Sequence, residues 1–160
     1  NVRMMELLGG SATPMGFGDV YTALQSQMLD GAENNELALT ENGHGDVCKY
    51  YSYDMHQMIP DILIGNLDFM ESLSEEERAI FDEGFLVLNQ TQRDAWEDAV
   101  AQAKDRAENE QGVEFIYLDD ISAFQEAVAP MHDEMLAEYP DLAPIYDLIQ
   151  KHNAEATSGS

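Results

Sequence analysis

The sequence predicts an α/β fold. Segments rich in strand-forming residues are interspersed with segments of helical periodicity, one of them long, which is typical of α/β proteins. The chain has 160 residues, and 44% of them are hydrophobic, which is enough to build a core. Turn signals rich in Gly and Pro separate these segments, so the strand-forming and the helical segments can be assigned to distinct elements.

The first elements are a short strand and a helix. Residues 2–5 are apolar around Arg3 and are predicted as a strand, and residues 9–14 form a Gly-, Ser- and Pro-rich turn. Apolar residues then recur at helical spacing, at Val20, Leu24 and Met28. The helix is predicted to end at Asp30-Gly31, because glycine is the usual residue just beyond a helix C-terminus.

Two further strands are predicted before the middle of the chain. Residues 36–49 form a weaker, polar helix pattern interrupted by two glycines. Tyr50 to Tyr53 are rich in strand formers, and residues 59–64 form a second apolar run. Pro60 places the second run at a strand entry or a sheet edge, because proline cannot donate to a sheet ladder.

A long helix follows residue 73. Ser74 and Glu77 have the spacing of a capping box, and no proline appears before Gly112. About 37 helical residues would extend to roughly 55 Å, against a radius of gyration of about 15 Å expected for this chain length. The remaining elements are a strand at residues 113–118 and helices at residues 122–138 and 142–152, the first opened by a second capping box, Ser122 to Gln125.

The charge excludes several classes of partner. The chain has 32 Asp+Glu against 7 Lys+Arg, a formal net charge of −25. Nucleic acids and anionic membrane surfaces bind basic proteins, so neither is an expected partner. Direct membrane insertion is not expected either, because no apolar run approaches about 18 residues. The acidic residues predict a solvated anionic surface, or alternatively a cation store or a face that binds a basic partner.

The sequence motifs indicate no catalytic residue, metal or cofactor. Residues 30–41 have the length of an EF-hand loop, but Ala32 has no oxygen ligand and Asn35 replaces the required glycine. The histidines lack metal-ligand spacing, and the single Cys48 has no identifiable activating partner and no second cysteine for a disulfide. The sequence therefore predicts a protein that is not an enzyme.

Two polar features stand out from this background. Arg3 is one of few basic residues, and it could form a salt bridge with an acid or bind an anionic ligand through its guanidinium fork. Residues 30–35 place carboxylate and amide groups directly after a turn. Such groups act as caps and turns, or as the convergent hydrogen-bonding set of a sugar-like ligand.

Several motifs resemble the solute-binding subunits of tripartite ATP-independent periplasmic (TRAP) transporters. The resemblance rests on residues 13–25, Thr-Pro-Met-Gly-Phe-Gly-Asp-Val-Tyr-Thr-Ala-Leu-Gln, and residues 29–35, Leu-Asp-Gly-Ala-Glu-Asn-Asn. Lys49-Tyr50-Tyr51, the pattern of His56 with Pro60-Asp61, and Leu-Ser-Glu-Glu-Glu at residues 73–77 follow in the family's order. Beyond about residue 112 the resemblance rests on element order.

The resemblance implies a periplasmic-binding-protein-like fold of two α/β lobes, joined by hinge strands and by a long helix that crosses both. Family members are about twice as long, so the chain is expected to be the C-terminal half. Residues 1–72 would be a second-lobe α/β segment and residues 73–111 the bridging helix. Residues 112–157 would be a strand and C-terminal helices packing on the lobes, and residues 158–160 a flexible tail.

The implied function is capture of an organic acid in an interlobe cleft, in the periplasm, and its delivery to the TRAP membrane subunits. No cofactor is implied. A sugar acid such as a uronate is the narrower expectation, because Asn35 and the His-Pro-Asp pattern resemble the branch that binds sugar acids. The alternative is an acidic helical interaction module that binds a basic protein partner.

The resemblance also assigns ligand-binding residues. Arg3 would clamp the ligand carboxylate, Phe17 would pack on the ligand, and Asn34 would help to hold both the arginine and the ligand. The complete predicted set is Arg3, Glu6, Phe17, Glu33, Asn34, Asn35 and His56. The chain departs from the family between Arg3 and the Leu-Gly-Gly turn at residues 8–10, where it has fewer residues than the family usually has.

Overall fold

The computed structural model describes residues 1–158. In chain order, the helices and strands are α1 (Val2–Leu7), α2 (Phe17–Gln25), α3 (Leu37–Glu41), α4 (His44–Val47), β1 (Tyr50–Tyr53), α5 (Leu67–Ser72), α6 (Glu75–Asn109), β2 (Glu114–Tyr117), α7 (Ser122–Glu138) and α8 (Ala143–Ser158), with a 3₁₀ turn at Pro140–Leu142. The chain divides into two compact units: residues 15–117 form one, and residues 1–14 with the described residues from 118 onward form the other. The predicted division of the chain into a second-lobe segment, a bridging helix, C-terminal elements and a tail stays a prediction.

The unit of residues 15–117 is built around a two-stranded parallel sheet. Tyr51 of β1 is paired with Phe115 of β2, and both rings pack against a buried apolar cluster. The cluster joins Leu39 of α3, Ala107 of α6 and Val113, which are at most 4% exposed. Helix α3 therefore lies against the C-terminal part of α6, where the alanine permits close approach.

Gln111, just after the end of α6, is hydrogen-bonded to α3 and α4. Its side-chain amide donates to the Leu39 carbonyl at 3.0 Å and to Asp46 Oδ1 at 3.1 Å. Lys49 Nζ donates to the carbonyls of Gly45 and Gln111 at 2.8 and 2.7 Å. A Cβ on Gly45 would lie 2.8 Å from Gln111 Cδ, so any other residue here would displace the Gln111 amide.

The long helix α6 confirms the predicted long helix. Ser74 Oγ accepts from the Glu77 backbone N–H at 3.3 Å, and the Glu77 carboxylate accepts from the Ser74 N–H at 2.9 Å, which is the predicted capping box. The 35 residues of α6 extend to about 52 Å. Its buried residues are Ala103 and Ala107, near the C-terminal end, whereas Ile80 is 69% exposed.

The other unit contains α1, α7 and α8. Helix α1 contacts α7, and Met4 is 4% exposed. An ion pair ties the two helices together: Arg3 donates to the Glu134 carboxylate through Nε at 2.9 Å and through Nη2 at 2.7 Å. Helix α8 ends at Ser158, the first residue of the predicted tail, and the other two residues of that tail, Gly159 and Ser160, lie outside the described residues.

The strand predicted at residues 2–5 is wrong, because this segment forms helix α1. A short apolar run has no reliable periodicity, and here the Met5 N–H donates to the Asn1 carbonyl and closes a helical turn. The strand predicted at residues 59–64 is wrong as well, since this segment has no regular structure. Ile62 and Ile64 in it are 77% and 84% exposed.

The bounds of two predicted helices and the cap of a third also differ from prediction. Helix α2 ends at Gln25 rather than at Asp30, because Gln27 adopts a positive φ of 59° and breaks the helix. The helix predicted at residues 36–49 is divided into α3 and α4 at Gly43, where φ is 70°. At the start of α7, Asp120 Oδ1 accepts from the Ser122 N–H, so the predicted Ser122 capping box is wrong.

Candidate functional site

The loop between α2 and α3 carries two asparagines with fixed side-chain orientations. Asn34 Oδ1 accepts from the Asn35 backbone N–H at 2.9 Å, and Asn35 Oδ1 accepts from the Leu37 backbone N–H at 3.1 Å. A backbone N–H can only donate, so the atom it meets must be the amide oxygen. Both side chains consequently keep their NH₂ groups, which are donors, available to other partners.

These asparagines line an open cavity of about 460 Å³. The cavity also has two aromatic side chains, and its complete lining is Phe17, Asn34, Asn35, Leu37, Ala38, Glu41, Asn42 and Trp96. The structure thus brings together three of the predicted ligand-binding residues, Phe17, Asn34 and Asn35. Trp96 was not among the predicted site residues, because it lies about 60 residues further along the chain, on α6.

The negative charge inside the cavity is balanced. Glu41 is the cavity's acidic residue, and its Oε1 lies 3.2 Å from Arg106 Nη1. Trp96 also lines a second cavity of about 520 Å³, together with Glu36 and Lys104. The first cavity therefore combines amide donors and aromatic surface with one carboxylate that already has a cationic partner.

Two tyrosines of β1 contact the asparagine loop. The Tyr51 hydroxyl donates to the Asn34 carbonyl at 2.8 Å, and the Tyr53 hydroxyl donates to Glu36 Oε1 at 2.7 Å. Burial, followed by the charges of neighbouring carboxylates, raises the pKa of Tyr51 to about 12. Burial, followed by the hydrogen bond to Glu36, also raises the pKa of Tyr53. Both hydroxyls therefore stay protonated and act as donors at physiological pH.

His56 lies between two carboxylates. Its Nδ1 is 2.6 Å from Asp54 Oδ1, and its Nε2 is 3.6 Å from Glu33 Oε2. The Nε2 atom is buried and has no hydrogen-bond partner within the part of the chain that the structure describes. Glu33 also accepts from Gln57 Nε2 at 3.1 Å. The distance of 3.6 Å makes the predicted residues Glu33 and His56 neighbours.

Arg3 and Glu6 lie in the other unit, on α1. Arg3 forms salt bridges with acids of the chain, which is one of the two roles that the sequence allowed for it. Besides its two bonds to Glu134, Arg3 is 3.5 Å from Glu6 Oε2. Arg3 lowers the pKa of the Glu134 carboxyl. The guanidinium fork is thus engaged by a carboxylate of the chain itself, on a helix rather than on the strand that the family motif implies.

His44 packs beside the cavity and offers a test by pH. Its side chain is 5% exposed, its ring centroid is 5.9 Å from that of Phe17, and burial lowers its pKa from 6.5. The unfolded state therefore takes up the proton first, so the stability that neutral His44 contributes is present above about pH 6.5 and is lost as the pH falls through the folded-state pKa. We expect the melting temperature to fall less steeply with decreasing pH below this value in His44→Gln than in wild type. Equal slopes of melting temperature against pH would show that protonation of His44 does not lower the stability.

Residues 1–158 lack two kinds of feature. No helix there is both long enough and apolar enough to cross a membrane. In the same range, no group of three His, Cys, Asp or Glu side chains is placed to hold a metal ion.

Comparison with known proteins places this geometry in context. Residues 1–139 match the family DctP, described as bacterial extracellular solute-binding protein, family 7. The protein YiiZ of Salmonella typhimurium is 40% identical over 93% of this chain and 45% of its own length. The chain spans about half the length of the relatives it matches.

Two solved structures share the fold. A TRAP periplasmic solute-binding protein from Anaerococcus prevotii, with bound α/β-D-glucuronate, is 63% identical with a TM-score of 0.89, over 97% of this chain and 50% of that one. A TRAP periplasmic solute-binding protein from Sulfitobacter, with bound β-D-galacturonate, is 34% identical with a TM-score of 0.85, over 92% of this chain and 49% of that one.

Proposed function

Because the chain belongs to family 7 of the bacterial extracellular solute-binding proteins, we propose that it is part of a TRAP solute-binding subunit whose ligand is a hexuronate, such as D-glucuronate or D-galacturonate. The bound ligands of the two similar structures support a sugar acid. In the full-length protein, binding would favour a closed state that delivers the ligand to the membrane subunits of the transporter.

The main support for the proposal is the cavity lined by Phe17, Asn34, Asn35 and Trp96. A pyranose ring has an apolar C–H face that packs on aromatic side chains, and its hydroxyl and carboxylate oxygens accept hydrogen bonds. The two asparagine NH₂ groups are donors, and their orientation is fixed by the backbone. A few polar groups of fixed orientation beside aromatic side chains are typical of small-molecule sites.

We assign each predicted residue of this unit a role in the proposal. Phe17 and Trp96 would flank the sugar ring, and the Asn34 and Asn35 amides would donate to its oxygens. Glu33 would accept from a hydroxyl, and His56 would contribute its buried Nε2. The amide donors suit an anionic ligand in a chain with a formal net charge of −25, because they donate hydrogen bonds without adding a negative charge.

Isothermal titration calorimetry of the full-length protein tests the ligand class. We expect D-glucuronate and D-galacturonate to bind, and D-glucose, which lacks the carboxylate, to bind at least about tenfold more weakly because a charge-assisted hydrogen bond is lost. Absence of uronate binding would contradict the proposed ligand. The alternative of an acidic module for a basic protein is not favoured by the family, and it predicts salt-sensitive protein binding without a small-molecule ligand.

Arg3 provides a separate prediction. The resemblance assigns it the ligand carboxylate, and that role stays a prediction, whereas the structure gives it Glu134 as a partner. From the structure we expect Arg3→Gln to lower the melting temperature slightly and to change the affinity for D-glucuronate by less than about twofold, because half-exposed ion pairs contribute little.

Glu134→Gln is the matched control, because it removes the same ion pair from the other side. Similar small losses of melting temperature in the two variants, with affinity preserved in both, would support a structural pair. If Arg3→Gln lost affinity tenfold or more while Glu134→Gln did not, Arg3 would be the ligand clamp.

A further inference from the structure

One face of the two-stranded sheet carries four aromatic rings. Tyr51 and Tyr53 alternate with outward residues on β1, and their register partners on β2 are Phe115 and Tyr117. The ring centroids of Tyr51 and Tyr53 are 5.1 Å apart, and Tyr53 stacks on Tyr117 at 4.9 Å with an interplanar angle of 16°. The rings of Tyr51 and Tyr53 are therefore each held by a neighbour on their own strand and by one across the ladder.

Lys104 of α6 covers this aromatic face. Its Nζ lies 5.1 Å from the ring centroid of Tyr53, 5.5 Å from that of Phe115 and 5.3 Å from that of Tyr117. It also donates to the Tyr117 hydroxyl oxygen at 2.8 Å. Cation–π attraction and this hydrogen bond restrain the rings, so the direction of the Tyr53 hydroxyl is fixed by the sheet and α6 together.

The hydroxyls of Tyr51 and Tyr53 leave this restrained layer and reach the asparagine loop 17 residues earlier. The bonds that Asn34 and Asn35 make within the loop join residues one and two positions apart. Local bonds of this kind set the shape of a turn, but they do not attach the turn to the rest of the protein. The two tyrosine bonds provide such an attachment.

We propose that Tyr51 and Tyr53 are positioning residues for the ligand site: their hydroxyls hold the asparagine loop so that the Asn34 and Asn35 NH₂ groups face the cavity. The inference rests on the proposed function for its ligand, while its structural part concerns the loop alone. The tyrosines touch the loop and not the cavity lining itself, apart from the Asn34 carbonyl. Their effect on the ligand is therefore exerted through the loop.

The test compares Tyr51→Phe, Tyr53→Phe and the double variant in the full-length protein. Phenylalanine keeps the rings and their stacking and removes the two hydroxyls. Tyr50→Phe is the matched control, because Tyr50 is 69% exposed and lies on the opposite face of β1. Hydrogen exchange of the loop amides is measured without ligand, and affinity for D-glucuronate is measured by calorimetry.

We expect the Asn35 and Leu37 amide hydrogens of the double variant to exchange at least about tenfold faster than those of wild type. We also expect the double variant to bind D-glucuronate about tenfold more weakly than wild type, and each single variant to give intermediate values. Tyr50→Phe should match wild type in both measurements. Unchanged loop exchange, or faster exchange with unchanged affinity, would overturn the positioning role. If exchange accelerates but wild type binds no uronate, the proposed ligand fails while the attachment of the loop stands.

Discussion

Asn34→Asp is expected to weaken D-glucuronate binding by the full-length protein by at least about 100-fold. The substitution is isosteric, and an aspartate Oδ1 can still accept from the Asn35 N–H, so the loop keeps its local bond. The NH₂ group is replaced by a carboxylate oxygen, which cannot donate and which repels the carboxylate of the ligand. One lost hydrogen bond to a charged group costs about 1.5–3 kcal/mol before this repulsion is added, and 100-fold corresponds to about 2.7 kcal/mol.

Asn66→Asp supplies the control for the added charge. Asn66 Oδ1 accepts from the Phe69 N–H at 2.9 Å and caps α5, and aspartate caps helices equally well. The same chemical change is thus made at a comparable side chain that is not part of the cavity lining. Calorimetry should show wild-type affinity for Asn66→Asp. Equal affinities for Asn34→Asp and wild type would remove Asn34 from the proposed site.

The sequence motifs were sufficient to identify the family. The resemblance based on residues 13–35 is confirmed by the family match over residues 1–139 and by the similar TRAP structures, and the predicted fold class and extracytoplasmic location are confirmed with it. These motifs combine glycines, a proline and an Asp-Gly turn in a fixed order. Residues with restricted backbone roles carry strong local information, so short segments of them are specific.

Local chemistry also explains which elements were predicted correctly. The Ser74–Glu77 capping box depends on residues three apart, and it marks the start of α6 within one residue. The strand at Tyr50–Tyr53 likewise agrees with its content of strand formers. In contrast, residues 2–5 have too short a pattern to distinguish strand from helix, and the structure shows that they form α1 against α7.

The parts of the candidate site that escaped prediction depend on contacts between distant residues. Trp96 reaches the cavity from the long helix, where its apolar neighbours gave it the pattern of an ordinary helix face. Tyr51 and Tyr53 read as strand formers, and their hydrogen bonds to the loop span 17 residues. Arg3 shows the reverse case, because its predicted role rested on a strand that is a helix and its partner Glu134 lies 131 residues away.

The second large effect concerns the core beneath the site. Leu39→Ala is expected to lower the free energy of unfolding by about 2–5 kcal/mol, the range for buried leucines that leave a cavity. Leu39 is 4% exposed and joins Ala107 and Val113 in the buried cluster between α3 and α6. Ala107 is 0% exposed and already small, so little side-chain volume is available nearby to fill the space.

Leu39→Met is the matched variant for this test, because it conserves the side-chain volume and should cost less than about 1.5 kcal/mol. The Leu39 carbonyl accepts from Gln111 Nε2 in either variant, so the difference between them isolates packing. Urea unfolding followed by circular dichroism measures both. Since α3 begins directly after the asparagine loop, Leu39→Ala should also speed hydrogen exchange at Leu37 more than Leu39→Met does. Equal unfolding free energies for the two variants would show that Leu39 is not packed as described.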